Sequence, residues 1–263
     1  ELHYIERGSG PTLLLLHGGM GDCRSWQPQI EGFARRFRVI AFSRRHSSPN
    51  RNPPAANHSI ETDADDLLRF EARLGIGSAH LVGTSYGALV ALAHALHHPA
   101  RVLSLVLAEP PLHRWACRTR EGAALYAAFM RDVWQRAAAA FDGDDDRQAL
   151  QLLVDGMWGR PTFGSFSPAR RDAALRNAGA MRALTRAVDP FPDLARDAVA
   201  GIAHRVLLLH GAHASALHVR VIEELARVLP RAAIAVIDGA GHASPAENPD
   251  GFNAAVLRFL SGD

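Results

Sequence analysis

The residue best suited to carry chemistry in this chain is Ser85, at the centre of Gly83-Thr84-Ser85-Tyr86-Gly87. A serine hydroxyl attacks a carbonyl carbon when a neighbouring base removes its proton. A glycine two positions before the serine and another two after it make room for a sharp turn, because neither has a Cβ atom. The same pattern occurs in many loops, so its meaning depends on the elements around it.

The elements around Ser85 predict a strand, a sharp turn and a helix. Residues 80–82 end a short apolar run with β-branched character, and residues 88–98 continue as a long pattern rich in alanine and leucine. The first run is typical of a buried strand, and the second is long enough for a buried helix. In this arrangement the serine hydroxyl stands above the carboxyl end of a sheet.

A base for Ser85 must come from elsewhere in the chain, and an imidazole oriented by a carboxylate is the usual solution. Among the 14 histidines, His242 is the best candidate. It ends the stretch Gly239-Ala240-Gly241-His242, directly after the last predicted strand. A glycine-rich loop at that point can bring a side chain over the carboxyl edge of the sheet.

The chain around these residues alternates between predicted strands and helices. Strands are predicted at residues 12–16, 38–42, 102–108, 205–209 and 233–237. Helices are predicted at residues 25–37, 60–74, 217–228 and 249–260. The alternation implies a mostly parallel sheet covered on both faces. Residues 2–6 alternate in polarity and precede a Gly-Ser-Gly-Pro turn, which predicts a hairpin leading into the strand at 12–16.

From residue 112 to about residue 197, helical patterns rich in alanine and arginine replace the strand-like runs. They predict a helical cap inserted between two strands. Aromatic and methionine side chains of this cap either line a substrate pocket or, as helical spacing more often means, form its core. These are Trp115, Tyr126, Phe129, Met130, Trp134, Met157, Trp158, Phe163 and Phe166.

The order of these motifs resembles that of the α/β-hydrolase fold superfamily over nearly the whole chain. HGG follows one strand, GTSYG forms the turn, a helical insertion follows, and GAGH precedes a final helix. The resemblance implies an α/β fold with a mostly parallel twisted sheet, flanked by helices. It implies a core of residues 1–111 and 198–263 with a cap at 112–197. It also implies that Ser85 is the nucleophile and His242 the general base and acid.

The third member of such a triad departs from the commonest pattern of the family. Most relatives have an aspartate in the loop after the strand that here ends at residue 211, but residues 212–216 read AHASA and contain no carboxylate. Glu109 ends the preceding predicted strand, and neighbouring strands are only about 4.8 Å apart. We therefore expect Glu109 to orient His242, as in a cap-bearing, lactonase-like branch that this chain resembles. A salt-bridged Glu109 and a role for Asp238 are the alternatives.

The resemblance also implies two backbone N–H groups that bind the oxyanion of the tetrahedral intermediate. One comes from the residue after the nucleophile, here Tyr86. The other comes from the loop that begins with the HGG motif, here from Gly19. Met20 is the alternative for the second donor. Glycine at this position lets the backbone approach a substrate closely.

Together these residues predict a metal-independent serine hydrolase that cleaves a small, mostly apolar carboxylic ester or lactone, without a cofactor. A carbon–carbon bond hydrolase on the same triad and a turnover-deficient ligand-binding receptor are the alternatives. Epoxide hydrolases and dehalogenases resemble the fold but have an aspartate where this chain has Ser85. Two groups of histidines, His94 with His97 and His98, and His210 with His213 and His218, lack the acidic or cysteine ligands of usual zinc motifs.

Composition narrows the remaining possibilities. The 263 residues are 48% hydrophobic, with a formal charge of +2, and the basic residues are all arginine, spread without a block. A nucleic acid or a membrane surface would favour a concentrated basic face, so neither partner is indicated. No apolar run is long enough to span a bilayer, and the N-terminus lacks signal-peptide features, which favours the cytoplasm. The oligomeric state stays open.

Two smaller expectations concern single side chains. The two cysteines, Cys23 and Cys117, have no disulfide or metal-ligand spacing and are expected to be buried free thiols. Residues 44–54 form a predicted loop rich in arginine and proline. Arg44 and Arg45 in this loop are expected to be solvated, with contact to an anionic group as the alternative.

Overall fold

A computed structural model of the chain describes residues 1–52 and 58–262. Its centre is a seven-stranded sheet in the order β1-β3-β2-β4-β5-β6-β7, in which every neighbouring pair is parallel except β1 and β3. The predicted mostly parallel sheet is therefore confirmed. The strands are β1 Tyr4–Arg7, β2 Thr12–Leu16, β3 Arg38–Phe42, β4 Ala79–Thr84, β5 Val102–Ala108, β6 Arg205–Gly211 and β7 Ala232–Ile237.

The central strands are continuous apolar runs because both of their faces are buried. In β2, Leu14 and Leu16 belong to the hydrophobic core on one side of the sheet, and Leu13 and Leu15 belong to the core on the other side. Successive side chains of a strand point to opposite faces, so a strand covered on both sides needs apolar residues at every position.

In residues 1–52 and 58–101, three α-helices precede β5. They are α1 Gln27–Phe33, α2 Ile60–Arg73 and α3 Tyr86–His97. A 3₁₀ turn at Cys23–Trp26 leads into α1, and the Asp22 side chain caps it by accepting a hydrogen bond from the Arg24 amide. The Ser59 hydroxyl caps α2 in the same way, through the Thr62 amide. Both caps satisfy N–H groups that a helix start leaves without partners.

Seven α-helices lie between β5 and β6, a stretch that the structure describes throughout. A π-helical turn at Met130–Trp134 joins the second of them to the third. The seven are α4 His113–Ala116, α5 Arg120–Phe129, α6 Gln135–Asp142, α7 Asp146–Trp158, α8 Pro168–Arg176, α9 Ala178–Thr185 and α10 Arg196–Ala200. The predicted end of the cap, between residues 197 and 198, falls inside α10.

The last part of the chain returns to the sheet. Helix α11 Ala216–Val228 connects β6 to β7, a short α12 Ser244–Glu247 follows the loop after β7, and α13 Pro249–Ser261 closes the described chain. Helices α1 and α13 pack together on one face of the sheet, and α2 and α3 pack together on the other.

Several predictions from the sequence are wrong in detail. The predicted hairpin does not form, because β1 pairs antiparallel with β3. Strand β2 already has a parallel neighbour on each side, β3 and β4, so it offers β1 no free edge. The helix predicted at residues 25–37 is shorter, since α1 ends at Phe33. Cys23 is buried as expected, whereas Cys117 is exposed on the surface after α4.

Two findings bear on partners and on the arginine-rich loop. No helix in residues 1–52 or 58–262 combines the length and apolar character needed to cross a bilayer. Of the loop predicted at residues 44–54, positions 53 and 54 lie outside the described residues. The described part does not leave Arg44 solvated, because this side chain is buried.

Candidate active site

Ser85 lies in a strained turn between β4 and α3. Its backbone has a φ of 50° and a ψ of −125°, in a region that residues with a Cβ atom rarely adopt. The glycines on either side allow the close packing of this turn. A Cβ on Gly83 would lie 2.5 Å from the Gly87 carbonyl oxygen, and one on Gly87 would lie 2.1 Å from that of Leu16. The spacing of the motif thus follows from steric contacts with the strand and helix.

The structure brings Ser85, His242 and Glu109 into one chain of hydrogen-bond contacts. The Ser85 Oγ lies 3.1 Å from His242 Nε2, and His242 Nδ1 lies 2.7 Å from Glu109 Oε2. The three residues follow β4, β7 and β5 at the carboxyl edge of the sheet. In this geometry Nδ1 donates to the carboxylate, which leaves the Nε2 lone pair free to accept the serine proton.

Glu109 is held in place at both its backbone and its side chain. Its φ is 47°, its N–H donates to the Leu209 carbonyl at 3.0 Å, and its Oε1 accepts from the Gly211 N–H at 3.0 Å. Burial by itself raises the pKa of the Glu109 carboxyl. The hydrogen bond and charge of His242, with His218 and the Gly211 amide, outweigh burial and hold the pKa below its usual value. Glu109 is therefore a carboxylate at neutral pH.

The alternative acid, Asp238, does not reach this chain of contacts. Its side chain is exposed, and the hydrogen bond that it makes among the described residues uses its backbone carbonyl, which accepts from Asn248 Nδ2. Residues 212–216, where relatives more often have their acid, supply small side chains and His213. The carboxylate that contacts His242 Nδ1 is that of Glu109.

Gly19 and Tyr86 both lie at the cavity that Ser85 faces, as does Met20. The neighbouring Gly18 is so close to the turn that a Cβ there would lie 3.3 Å from that of Ser85. Within residues 1–52 and 58–262, the Gly19 and Tyr86 amides are not donors in any hydrogen bond that the structure shows. Tyr86 is the first residue of α3, where helical N–H groups have no partner within the helix.

His218 is a member of the site that the sequence did not identify. Its ring stacks on that of His242, with centroids 4.4 Å apart and planes at 24°. Its Nδ1 lies 2.8 Å from the Ser215 hydroxyl and 3.6 Å from Glu109 Oε2. Burial, then repulsion by His242, lowers the pKa of His218 from 6.5 to about 3, although Glu109 acts in the opposite direction. A neutral ring therefore covers one face of His242.

His242 is also covered by Trp158, the last residue of α7. The Trp158 ring meets His242 edge to face, with centroids 5.3 Å apart. In the sequence, His218 stood out only as one of a group of histidines with His210 and His213, and by its place in the first turn of the helix after the loop that lacks the usual acid. No periodicity could have indicated that its ring stacks on a residue 24 positions further on.

Three donor atoms of Glu109, His218 and His242 lie within 4.8 Å of one another, close enough to consider a metal ion. An imidazole binds a metal through a lone pair in the plane of its ring. Because the two rings are stacked, no point near both Nδ1 atoms lies in both planes, so the cluster as folded does not fit a metal. Neither histidine group singled out in the sequence forms a cluster of this kind in the described residues.

A cavity of about 310 Å³ lies above Ser85 and is lined mainly by apolar side chains of the helices and loops between β5 and β6. Five of the nine aromatic and methionine residues singled out in this region contribute to it. The other four, Trp115, Tyr126, Met130 and Phe163, do not line it. The principal apolar lining residues are Phe129, Trp134, Val154, Met157, Trp158, Phe166, Met181, Leu184 and Phe191.

Glu247 connects these helices to the loop that carries His242. Its Oε1 accepts the indole N–H of Trp158 at 2.7 Å, and its Oε2 accepts the Gly241 N–H at 2.6 Å. Arg170 lies 3.3 Å from the same carboxylate. One carboxylate therefore holds both the backbone beside His242 and the side chain that covers the His242 ring.

Arg44 also lies beside the site, contrary to the expectation that it is solvated. Its side chain is 4% exposed and pairs with Asp63 at 3.1 Å. The guanidinium is therefore not solvated, and its charge is already paired with a carboxylate instead of being available to an anionic substrate. Arg45 is 31% exposed and pairs with Asp66 at 2.5 Å. Both arginines are buried or half-buried because α2 supplies a carboxylate for each.

Three relatives show what this chain is similar to. It is 35% identical over 113 residues to the uncharacterized hydrolase YraK of Bacillus subtilis, a match to 43% of this chain and 42% of YraK. It is 29% identical over 266 residues to RutD of Stutzerimonas stutzeri (strain A1501), which carries a provisional name as a carbamate hydrolase. That match covers 99% of this chain and 96% of RutD.

The third relative, carboxylesterase YbfK of Bacillus subtilis, is similar in sequence and in structure. It is 26% identical over 268 residues, covering 100% of this chain and 85% of YbfK. Its crystal structure superposes with a TM-score of 0.73, with 22% identity over 100% of this chain and 88% of YbfK. The family model for the alpha/beta hydrolase fold matches residues 11–249. With the sheet order and the strand–turn–helix at Ser85, this match shows that the chain belongs to the α/β-hydrolase fold family.

Proposed function

We propose that this protein is a serine hydrolase that cleaves a small, mostly apolar carboxylic ester or lactone through an acyl-enzyme intermediate. The observation that carries the proposal is the unbroken series of contacts from Ser85 Oγ to His242 to the Glu109 carboxylate, at 3.1 and 2.7 Å. A hydroxyl, an imidazole and a buried carboxylate in this order form the arrangement that activates a serine at neutral pH.

In the first half of the reaction, the Ser85 Oγ attacks the substrate carbonyl carbon while His242 Nε2 takes its proton. Glu109 stabilises the resulting imidazolium through Nδ1. The Gly19 and Tyr86 N–H groups bind the oxyanion of the tetrahedral intermediate, and each such donor is worth about 2.7–4 kcal/mol in the barrier. The intermediate collapses when His242 returns the proton to the leaving alkoxide, which gives an alcohol and acyl-Ser85.

In the second half, water replaces the alcohol. His242 removes a proton from the water, whose oxygen attacks the acyl carbon, and then protonates Ser85 Oγ as the acid product leaves. With a lactone, alcohol and acid stay joined as one hydroxy acid. Each half-reaction returns His242 to its neutral state, so no co-reactant other than water is needed.

The substrate class follows from the lining of the cavity. A space of about 310 Å³ bounded mainly by aromatic, leucine and methionine side chains favours a compact apolar acyl or ring group. The similarity to carboxylesterase YbfK over the full chain supports ester cleavage. We propose residues 112–197 as the cap that shapes this cavity, since most of the apolar lining residues come from that stretch.

A fluorophosphonate probe tests the proposal directly. We expect it to label Ser85, identified by mass spectrometry of the modified peptide, and to abolish hydrolysis of a short p-nitrophenyl ester. Ser85→Ala should lower kcat by roughly 10⁶-fold, while Ser165→Ala, at an exposed serine, should retain both activity and labelling. Activity that survives Ser85→Ala would exclude this mechanism. A folded protein that binds ester analogues without turnover would instead support the receptor alternative.

A further inference from the structure

We propose that Arg44 is a positioning residue that fixes the relative orientation of the two backbone amides of the oxyanion-binding site. The inference rests on the proposed function, because it assigns Arg44 a role in orienting the Gly19 and Tyr86 amides. The side chain contacts the backbone before Gly19 and the ring of Tyr86, and it does not touch Ser85 or His242 in the contacts that the structure shows.

The first contact fixes the peptide between Gly18 and Gly19. The Gly18 carbonyl oxygen accepts from Arg44 Nη2 at 3.3 Å, from His17 Nδ1 at 2.8 Å and from the Gly21 N–H at 3.2 Å. A trans peptide is planar, with its C=O and N–H on opposite sides. Three donors that hold the carbonyl on one side therefore direct the N–H of Gly19, a residue that lines the cavity, to the other side.

The second contact supports Tyr86. The Arg44 guanidinium carbon lies 4.6 Å from the centroid of the Tyr86 ring, within the range of a cation–π interaction. The Tyr86 side chain is buried, and its amide begins α3 directly after Ser85. Arg44 thus supports the ring of one proposed oxyanion donor while it fixes the peptide of the other.

The buried charge of Arg44 is balanced, so its effect is mainly geometric. Arg44 Nη1 donates to Asp63 Oδ2 at 3.1 Å, and His58 Nε2 lies 3.2 Å from the same oxygen. The Arg44 backbone N–H also donates to His17 Nε2 at 2.9 Å, which fixes the tautomer that donates to Gly18. A rigid, planar guanidinium with separated donors can satisfy Asp63 and Gly18 at once, whereas an ammonium group cannot reproduce that geometry.

The test compares Arg44→Gln and Arg44→Lys with Arg45→Gln. The control removes an arginine one position further on that also pairs with an aspartate of α2 but contacts neither oxyanion residue. For each variant we would measure kcat and KM on p-nitrophenyl butyrate. We would also measure the affinity for a trifluoromethyl ketone, whose adduct carries an oxyanion, and for butyrate, which forms no adduct.

For Arg44→Gln we expect kcat to fall by about 10- to 100-fold, because misaligned donors lose part of the stabilisation that a lost donor would remove. KM and the affinity for butyrate should change by no more than about twofold, and the affinity for the trifluoromethyl ketone should fall by the same factor as kcat/KM. Arg44→Lys should show a smaller loss of the same kind. Arg45→Gln should behave as the unmodified protein.

Four results would overturn the inference: an unchanged kcat, an effect on KM alone, an unchanged affinity for the trifluoromethyl ketone, or an equal loss in Arg45→Gln. Circular dichroism identifies a variant that fails to fold, and Arg44→Lys then decides. Failure of the proposed function is a separate outcome, because Ser85→Ala would then remain active. If Ser85→Ala is inactive and Arg44→Gln is fully active, only the role of Arg44 is excluded.

Discussion

Glu109 and His242 are 133 positions apart in the sequence, and their side chains meet at 2.7 Å above the carboxyl edge of the sheet. Glu109 follows β5, the immediate neighbour of the strand that leads into Ser85. The positive φ of Glu109 turns the chain at the end of that strand. If Glu109 is the triad acid, as proposed, no carboxylate is needed after β6, which agrees with the small residues at 212–216.

The first prediction concerns the charge of this acid. Glu109→Gln keeps the shape of the side chain, but a neutral amide cannot stabilise the imidazolium and can donate to His242 Nδ1, which selects the wrong tautomer. We expect kcat on a p-nitrophenyl ester to fall by about 10⁴-fold, the size of loss typical when a triad carboxylate becomes an amide. Asp238→Asn is the matched control and should change kcat by less than about twofold. Comparable losses in the two variants would argue against Glu109 as the triad acid.

The main elements of the fold were predictable because their signals are local. Strand β3, at residues 38–42, and strand β5, at 102–108, have the predicted bounds. Each is a continuous apolar run, which a strand buried on both faces requires. The partner of β1 could not be predicted, because pairing depends on which edge of the sheet is free once β2 is enclosed by its two parallel neighbours.

The candidate site was predictable to a different degree. Ser85, Glu109 and His242 stand at the ends of predicted strands, so topology alone places them at one edge. Burial of Arg44 could not be predicted, because an arginine is buried only with a partner and Asp63 lies on another element. Helical spacing shows that Trp158 faces inward, but not whether it meets other helices or the cavity, since that depends on how the helices cross.

The second prediction concerns Glu247. Glu247→Gln keeps one acceptor oxygen but loses the charge and places an NH₂ group near the Gly241 N–H or the Trp158 indole, both of which are donors. We expect the free energy of unfolding to fall by about 1–3 kcal/mol, measured by urea denaturation. We also expect kcat to fall by about tenfold, because the backbone beside His242 loses an anchor.

Trp158→Phe is the matched comparison for Glu247→Gln. It removes the indole N–H while an aromatic ring remains against His242. The variant therefore loses the hydrogen bond from residue 158 to Glu247 but keeps the bond from the Gly241 N–H to Glu247. We expect kcat to fall less than in Glu247→Gln. If the two variants lose kcat equally, the bond to the Gly241 amide does not position His242.

The third prediction concerns stability in acid. The pKa of His218 is lowered from 6.5 to about 3 in the folded protein, so between these values the unfolded chain binds a proton that the folded one does not. The free energy of unfolding therefore includes a contribution from His218 that is complete above pH 6.5 and is lost as the pH falls. The slope from one such group approaches about 1.4 kcal/mol per pH unit.

His218→Phe keeps a ring that can stack on His242 but removes this proton linkage. We expect the slope of unfolding free energy against pH to be smaller by up to about 1.4 kcal/mol per unit between pH 6 and 4.5, measured by urea denaturation at several pH values. His17, whose pKa burial and Arg44 also lower to about 3, maintains part of the slope in the variant. His213→Asn, at an exposed site, is the control. An unchanged slope in His218→Phe would show that His218 is not buried in its neutral form.

The fourth prediction concerns the length of the acyl group. Each buried CH₂ is worth about 0.8 kcal/mol, so kcat/KM on p-nitrophenyl esters should rise about fourfold per carbon until the cavity is filled, and then fall. Phe129→Ala enlarges the cavity and should move the optimum to longer chains. Tyr126→Leu, on the same helix but not lining the cavity, should leave it unchanged. Because Phe129→Ala costs about 3–5 kcal/mol of stability, the assay is run below its unfolding transition. Equal optima in the unmodified protein, Phe129→Ala and Tyr126→Leu would show that the acyl group does not bind in this cavity.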